Sequence, residues 1–488
     1  MLLQTLSEPS RSTRRRSAPL GLPTTEELLV DGGDARLAID PATRVNKYGC
    51  RPFPDPGLAA FGSSTSSVVS ALGFAAAENL RRRLLRASAL GEPPPFTYRR
   101  ELQRLRRELI RLCGLADFPG VEIVFAASGT DLHQIAAQLV AGERAAALRV
   151  LMTETAETGS GVPAAFAAAA PGVEVIAAPA RDGDGAVRRA GTVAAELDML
   201  IAGAVEQDAR VLLTIADVSK TGLLSPRLDH VLDLRDRRRN GAVEVLVDAC
   251  QFRLAPATLR AYLQHGLMVA VTGSKFLTGP AFSGALLVPP STARRLRRTV
   301  LHGPRGLSRR AEWPQGWAAA HGVPDAANYG LLLRWEAALA ELRALRRLAE
   351  GEVRHFVAEF ATAVHRRLAD DPQLEALAAP GPDRRPVVPA TSWDHLPTIF
   401  PFLLRRGSAT LGSAATEQVY GRLRAFRCQL GQPVACGRRG GQPVSALRLC
   451  LSSRLIVEAV GEGRRAAVIE RALAVLDKAV VLAHAARD

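Results

Sequence analysis

The chain has 488 residues, with 63 Lys and Arg against 48 Asp and Glu, a formal net charge of +15 at pH 7. Its composition, 47% hydrophobic and 23% charged, is that of a globular protein and excludes a disordered, collagen-like or coiled-coil chain. No stretch approaches the ~20 strongly apolar residues of a membrane span. The basic run at 11–16 leads into Pro and Gly rather than an apolar core, so a cytoplasmic protein with no membrane partner is expected.

Lysine occurs only at Lys47, Lys220, Lys275 and Lys478, so arginine supplies the other 59 basic residues. Those arginines spread along amphipathic helices as solvated faces. With aromatics at 5% and no aromatic platform motif, nucleic acid is not the expected partner. The six cysteines form no CxxC pair, and no His or Cys spacing suggests a metal site.

In chain order, residues 1–40 read as an irregular arm rich in Ser, Arg, Pro and Thr. Residues 41–95 form an N-terminal segment with prolines at 52, 54 and 56, a serine-rich run at 63–67, a helix over 71–87 and a break at Pro93–Pro95. A large α/β domain follows over 96–325. Its apolar, β-branched runs predict strands at 121–126, 149–153, 173–177, 210–216, 243–248, 267–272 and 283–288, with helices such as 131–141 and 194–207 between them. Continuous apolar runs alternating with helices predict a mostly parallel mixed sheet covered on both faces. Residues 326–488 read as a connecting helix, 329–368, broken only at Gly351, then a small α+β domain with strands near 398–404 and 445–451 and a terminal helix from Gly463.

Lys275 carries the sharpest chemical signal. It follows a strand ending in Thr-Gly-Ser (272–274) and precedes a Gly- and Pro-rich turn. A guanidinium stays protonated, so a nucleophilic amine is the one basic group that this arginine-rich chain cannot exchange for arginine. Alone, it reads more readily as a stray surface lysine, and the chemistry needs supporting groups. Asp248 ends the apolar run at 243–248, where a carboxylate can pair with a cofactor ring nitrogen or simply cap a helix. Ser128, Gly129 and Thr130 lie between a strand and a helix, where amides and hydroxyls suit a phosphate.

With Ala-Ser-Gly-Thr at 127–130, Val-Ser-Lys-Thr-Gly-Leu-Leu-Ser-Pro at 218–226, Val-Asp-Ala-Cys-Gln at 247–251, Thr-Gly-Ser-Lys at 272–275 and Ala-Leu-Arg-Leu at 446–449, the chain resembles the class V aminotransferase family. These are fold-type-I enzymes dependent on pyridoxal 5'-phosphate (PLP), cysteine desulfurases and kynureninases among them. The resemblance spans about 95–460. It implies that Lys275 forms the internal aldimine, that Asp248 pairs with the pyridine nitrogen and that Gln251 bonds the phenolic oxygen. It assigns the phosphate to Ser128, Gly129, Thr130, Thr272 and Ser274, puts Ser219 near the cofactor, and gives Arg448 the substrate carboxylate. Thr278 lies in the loop that such dimers present to the neighbour's phosphate, which implies a homodimer with shared sites. Thr158 is the nearest match to the residue that usually stacks on the ring, but it has no ring of its own. Lys47 and Lys220 are read either as site residues or as tolerated loop cations. Cys436, read in a loop, is a persulfide nucleophile or an unreactive cysteine. Trp313, Trp317, His302 and His321 fall in an irregular stretch that is either a specificity loop or a buried one. The expected activity is that of an aminotransferase on a small amino acid or amine, with a C–S lyase or desulfurase, or a non-catalytic binding protein, as alternatives.

Overall fold

The computed structural model describes residues 21–63, 66–142, 147–238, 241–301 and 308–486. Inside the stretch read as an irregular arm, helix α1 (Thr25–Val30) is started by a capping box between Thr24 and Glu27. Strand β1 (Ala59–Phe61) and helices α2 (Ala71–Ala89) and α3 (Pro94–Leu112) follow. The proline break falls at the start of α3, where a missing N–H costs nothing.

The large sheet and its crossovers run β2 (Glu122–Ala126), α4 (Gly129–Ala141), β3 (Leu148–Thr153), α5 (Val162–Ala167), β4 (Val173–Ala178), α6 (Ala190–Glu206), β5 (Arg210–Asp217), β6 (Leu224–Ser225), α7 (Leu228–Arg237), β7 (Val243–Ala249), α8 (Pro256–Gln264), β8 (Met268–Thr272), β9 (Gly284–Val288) and α9 (Pro290–Leu296). Across the sheet the order is β2-β9-β8-β7-β5-β3-β4, with β6 paired antiparallel to β5. Strands β4, β3, β5, β7 and β8 are parallel, while β9 is antiparallel to both β8 and β2. The expected mostly parallel mixed sheet is therefore present. Its strands divide by alternation between two buried clusters. Phe125, Ile215, Val247 and Val271 pack on one face, and Val124, Leu246, Met268 and Ala270 on the other. Burial on both faces explains why these strands read as unbroken apolar runs.

The connecting region is two helices, α10 (Tyr329–Leu345) and α11 (Glu350–Asp370). The break lies at 346–349 rather than at Gly351, which sits inside the first turn of α11. There Ala349 turns extended (ψ 131°), and Arg346 is pinned across the chain by donating to Leu112 O and Leu254 O at 3.0 and 3.3 Å. A smaller unit then contains β10 (Leu374–Ala376), β11 (Ile399–Arg406), β12 (Ala409–Thr410), α12 (Ser413–Leu423), β13 (Cys428–Arg439), β14 (Gln442–Cys450), α13 (Ser453–Ile456) and α14 (Arg465–His484). Its sheet has the order β1-β13-β14-β11-β10, with β12 on β11. Strand β1, from far up the chain, pairs parallel to β13, Ala59 opposite Cys428. Among the described residues no helix is long and apolar enough to cross a membrane.

Candidate active site

Because β9 runs against both of its neighbours, β2, β8, β7 and β5 all end on one edge of the sheet. Ligands of open α/β sheets bind at such a carboxyl edge. The register closes the gap between the first two ends. Ala126 and Thr272 both sit opposite Gly284, so the turns carrying Ser128 and Lys275 flank one glycine. A Cβ at Gly284 would lie 2.8 Å from Ser128 O, a contact with backbone that no rotamer can relieve.

Into this edge opens a cavity of about 410 Å³, lined by Ser128, Gly129, Thr130, Asp248, Gln251, Thr272, Ser274, Lys275 and Arg448, with Lys47 and Lys220. A larger cavity, about 770 Å³, opens beside α6 and α7 and holds none of the candidate residues. Convergence of chemistry rather than size therefore marks the site.

Asp248 is flanked across the sheet by Ala216 and Ala270, small neighbours that leave room for its carboxylate. From α4, His133 reaches it with Nε2 at 3.2 Å from Oδ2, while His133 Nδ1 lies 2.6 Å from Gly129 O. Burial pushes the Asp248 carboxyl up, but the charge and hydrogen bond of His133 and the charge of Lys275 outweigh it and hold the group well below the usual carboxylate range. Burial likewise opposes the His133 imidazolium, and Asp248 overcomes it, raising His133 above its ordinary value. Asp248 Oδ1 accepts from Cys250 N at 3.2 Å.

The turn after β8 is fastened to the turn after β7: Phe276 N donates to Gln251 O at 3.2 Å. Gln251 Oε1 accepts from Ser63 Oγ at 2.7 Å, which leaves its amide nitrogen to donate. At the start of α4, Ser128 and Asp131 form a capping box. It spends the Ser128 backbone N–H on Asp131 Oδ2 at 2.9 Å, while helix geometry leaves the Gly129 and Thr130 N–H groups unpaired. Thr272 Oγ1 donates to Cys250 O at 2.6 Å and stands 3.4 Å from Ser274 Oγ. A carboxylate held ionised, a primary amine, a carboxamide and uncharged donors at a helix N-terminus are what a pyridinium, an aldehyde, a phenolic oxygen and a phosphate require. The donor set fits PLP.

Several expected residues stand elsewhere. The Thr158 hydroxyl is spent on Thr153 O and Glu154 O at 3.2 and 3.1 Å, and Thr158 does not line the cavity. Ser219 Oγ donates to Glu157 Oε2 at 2.6 Å and supports the wall from behind. Thr278 lines a second cavity of about 430 Å³ beside Arg454 and Glu341, in a left-handed conformation (φ 55°) and with no hydrogen-bond partner for its hydroxyl among the described residues. Cys436 is on β13 rather than in a loop, buried against Leu377, Leu403, Val444 and Ala446. Burial pushes its thiol up despite the nearby Arg181 and Arg439, the opposite of what a nucleophile needs. Trp313 and Trp317 are buried against each other in the core on the α4 side of the sheet; His302 lies outside the described residues.

Sequence reasoning missed His133, whose signal was a histidine one turn into the helix after Ser-Gly-Thr. It also missed Arg36 and Tyr48, which enter the cavity from the N-terminal segment.

No protein-family model matches the sequence, and no match was found among curated proteins. Solved structures do match. A C-DES mutant with glycine covalently linked to the PLP cofactor aligns with TM-score 0.56 and 17% identity over 86% of this chain and 99% of that one. The cystine C–S lyase C-DES in complex with its reaction product cysteine persulfide gives 0.55 and 18% over 86% and 98%. The cysteine desulfurase CsdA from Escherichia coli gives 0.56 and 16% over 87% and 95%. At these identities the likeness establishes architecture: this chain has the fold of the fold-type-I PLP-dependent enzymes.

Proposed function

We propose that the protein is a PLP-dependent enzyme acting on the amino group of an α-amino acid, and that it is an aminotransferase. The observation that carries this reading is the convergence of Lys275, Asp248, Gln251, the start of α4 and Arg448 on one cavity. When bound there, PLP supplies an electron sink for negative charge developing at the substrate Cα. Gly129, Thr130 and Ser274 would hold its phosphate, with Thr272 positioning Ser274, Gln251 its phenolic oxygen, and Lys275 its aldehyde carbon. Asp248, kept ionised by His133, would hold a proton on the ring nitrogen. Arg448 orients the substrate by its α-carboxylate through a forked guanidinium. Lys275 Nζ would move the proton at the substrate Cα. With PLP bound, one amino acid would leave as its keto acid and a second keto acid would take up the amino group.

A C–S lyase is the second reading, favoured by the C-DES neighbours. It would need no protein thiol, which matters because neither Cys436 nor Cys250 is disposed to form a thiolate. Burial and the Asp248 charge push Cys250 up as well. All six cysteines are free, which suits a reducing compartment such as the cytoplasm. A homodimer in which the Thr278 loop meets the second copy belongs to this reading through the resemblance of that loop to the one such dimers share.

Purified protein saturated with PLP should show a visible cofactor band that is lost on adding an amino acid and restored by a keto acid. Release of sulfide or pyruvate with the band retained would establish the lyase instead. The Lys275→Ala variant should lose the band and turnover; retained turnover in that variant would overturn the assignment.

A further inference from the structure

Three of the four lysines in this arginine-rich chain, Lys47, Lys220 and Lys275, line the same cavity. Arg36 and Arg448 line it too, yet Asp248 is its one carboxylate among the described residues. Asp248 is engaged by His133, and Arg36 is neutralised by Asp34 at 2.6 Å. Two cations in the wall between the sheets are left with no such partner. Arg448, 3% exposed, donates Nε and Nη2 to Gln432 O at 3.1 and 2.9 Å and Nη1 to Lys220 O at 3.2 Å. Lys220 Nζ donates to Thr155 O at 2.8 Å. Carbonyl oxygens orient these cations but cancel none of their charge, and no carboxylate forms an ion pair with either among the described residues. Elsewhere some buried arginines are ion-paired, as Arg181 with Glu157 and Arg384 with Asp217, and others, such as Arg253 and Arg334, are held by carbonyl oxygens; Arg448 differs in lining an open cavity beside a second cation, Lys220.

The placement of Lys220 is enforced. Its turn is held by the buried Glu157, whose carboxylate accepts from Ser219 Oγ, Thr221 N and Thr221 Oγ1 at 2.6 to 3.1 Å, and whose backbone O accepts from Lys220 N at 2.8 Å. A turn braced by these four donors that presents a like charge beside Arg448 costs stability unless an anion completes it.

The proposed cofactor does not supply that anion. Its phosphate is met by uncharged donors, and Lys275 is committed to its aldehyde. A single α-carboxylate on Arg448 then leaves Lys220 unmatched. We infer that the site is built for amino acids, and their keto acids, that carry a second carboxylate on the side chain, with Lys220 as the specificity-determining residue that binds it. Lys47 stands at the entrance as a further cation, over the Tyr48 ring. This inference rests on the PLP reading for its substrate, but the wall that carries it does not require bound PLP.

The test therefore has two arms. In the first, the protein freed of PLP is titrated calorimetrically with glutarate and with valerate, equal in chain length and differing by one carboxylate. Glutarate should bind about tenfold or more tighter, the scale of one charge-assisted hydrogen bond. In Lys220→Met that ratio should fall to near one. Equal binding by the wild-type protein, or a ratio that survives the substitution, overturns the inference. Lys220→Gln, which retains a donor for Thr155 O, makes the same comparison if the methionine variant does not fold. In the second arm, the PLP-loaded enzyme is titrated with glutamate and norvaline, and the half-saturating concentrations for the change in cofactor absorbance are compared. A preference for glutamate that Lys220→Met abolishes supports the inference, and a preference for norvaline overturns it. Absence of any cofactor band would sink the PLP reading alone, because the calorimetric arm still decides whether the wall binds a dicarboxylate.

Discussion

Asp248 and His133 stabilise each other's charge, and the direction of each shift fixes how folding should respond to pH. His133 is raised in the folded state, so its contribution is complete below its ordinary value of about 6.5 and is lost as pH rises through the raised value. Asp248 is depressed, so its contribution is complete above about 3.9 and is lost only as pH falls through the depressed value. Urea unfolding of His133→Gln against wild type should therefore show a stability gap that narrows as pH rises above about 6.5; a gap independent of pH would contradict the charged pair. Lys220 behaves oppositely to His133. Burial first, then Arg448 and Lys275, lower its ammonium to about 8, with Glu157 opposing them. Its folded form thus releases its proton before the unfolded chain does, and stability should rise with pH from about 8 towards the unfolded value of 10.5. Dicarboxylate affinity should fall about tenfold per pH unit above about 8, measured by the same calorimetry, and Lys220→Met should remove that slope.

At the scale of elements, the site depends on how closely β2, β9 and the turns beyond them approach. Gly284→Ala would drive a methyl into Ser128 O and Ala126 O, both backbone atoms. It should cost about 1–3 kcal/mol by urea unfolding and weaken PLP binding, since the start of α4 must move. Glu157→Ala leaves Arg181 buried without its partner and frees the 219–221 turn. Loss of about 3–5 kcal/mol is expected, with the glutarate preference reduced in any folded fraction. Much of this level was legible in the sequence, for a physical reason. Strands buried on both faces must be apolar throughout, so their ends stand out, and Ser128, Asp248 and Lys275 could be found as polar residues at those ends. Hydroxyl direction leaves no such trace. Thr158 and Ser219 lie in the right turns, yet one hydroxyl serves the backbone and the other serves Glu157. Strand β13 was hidden because Gly431, Pro433 and Gly437 suggest a loop, whereas the strand accommodates them through register shifts against β14 at 431–434 and 435–438. His133 was hidden because its role depends on α4 lying against β7, a contact that only the folded sheet creates.

At the scale of the molecule, a ligand that binds only the folded chain must stabilise it. PLP at a hundred times its dissociation constant should add about 2.7 kcal/mol to unfolding of the wild type and less to Lys275→Ala, a difference readable as a smaller thermal shift. Sedimentation should give twice the mass of one chain if the Thr278 loop meets a second copy; a monomer that retains full turnover would refute shared sites. The pairing of β1 with β13 reaches further than catalysis, into how the protein is made. Ala59 has no strand to join until Cys428 has been synthesised, and at about 5–20 residues per second a ribosome takes about 20–70 s to cover that interval. The large sheet can close during this delay, while β1 waits as an exposed edge that only the last part of the chain can cover. Truncated products released before that point would therefore carry an adhesive strand, and slow translation of the final hundred residues is where this protein would most depend on a chaperone.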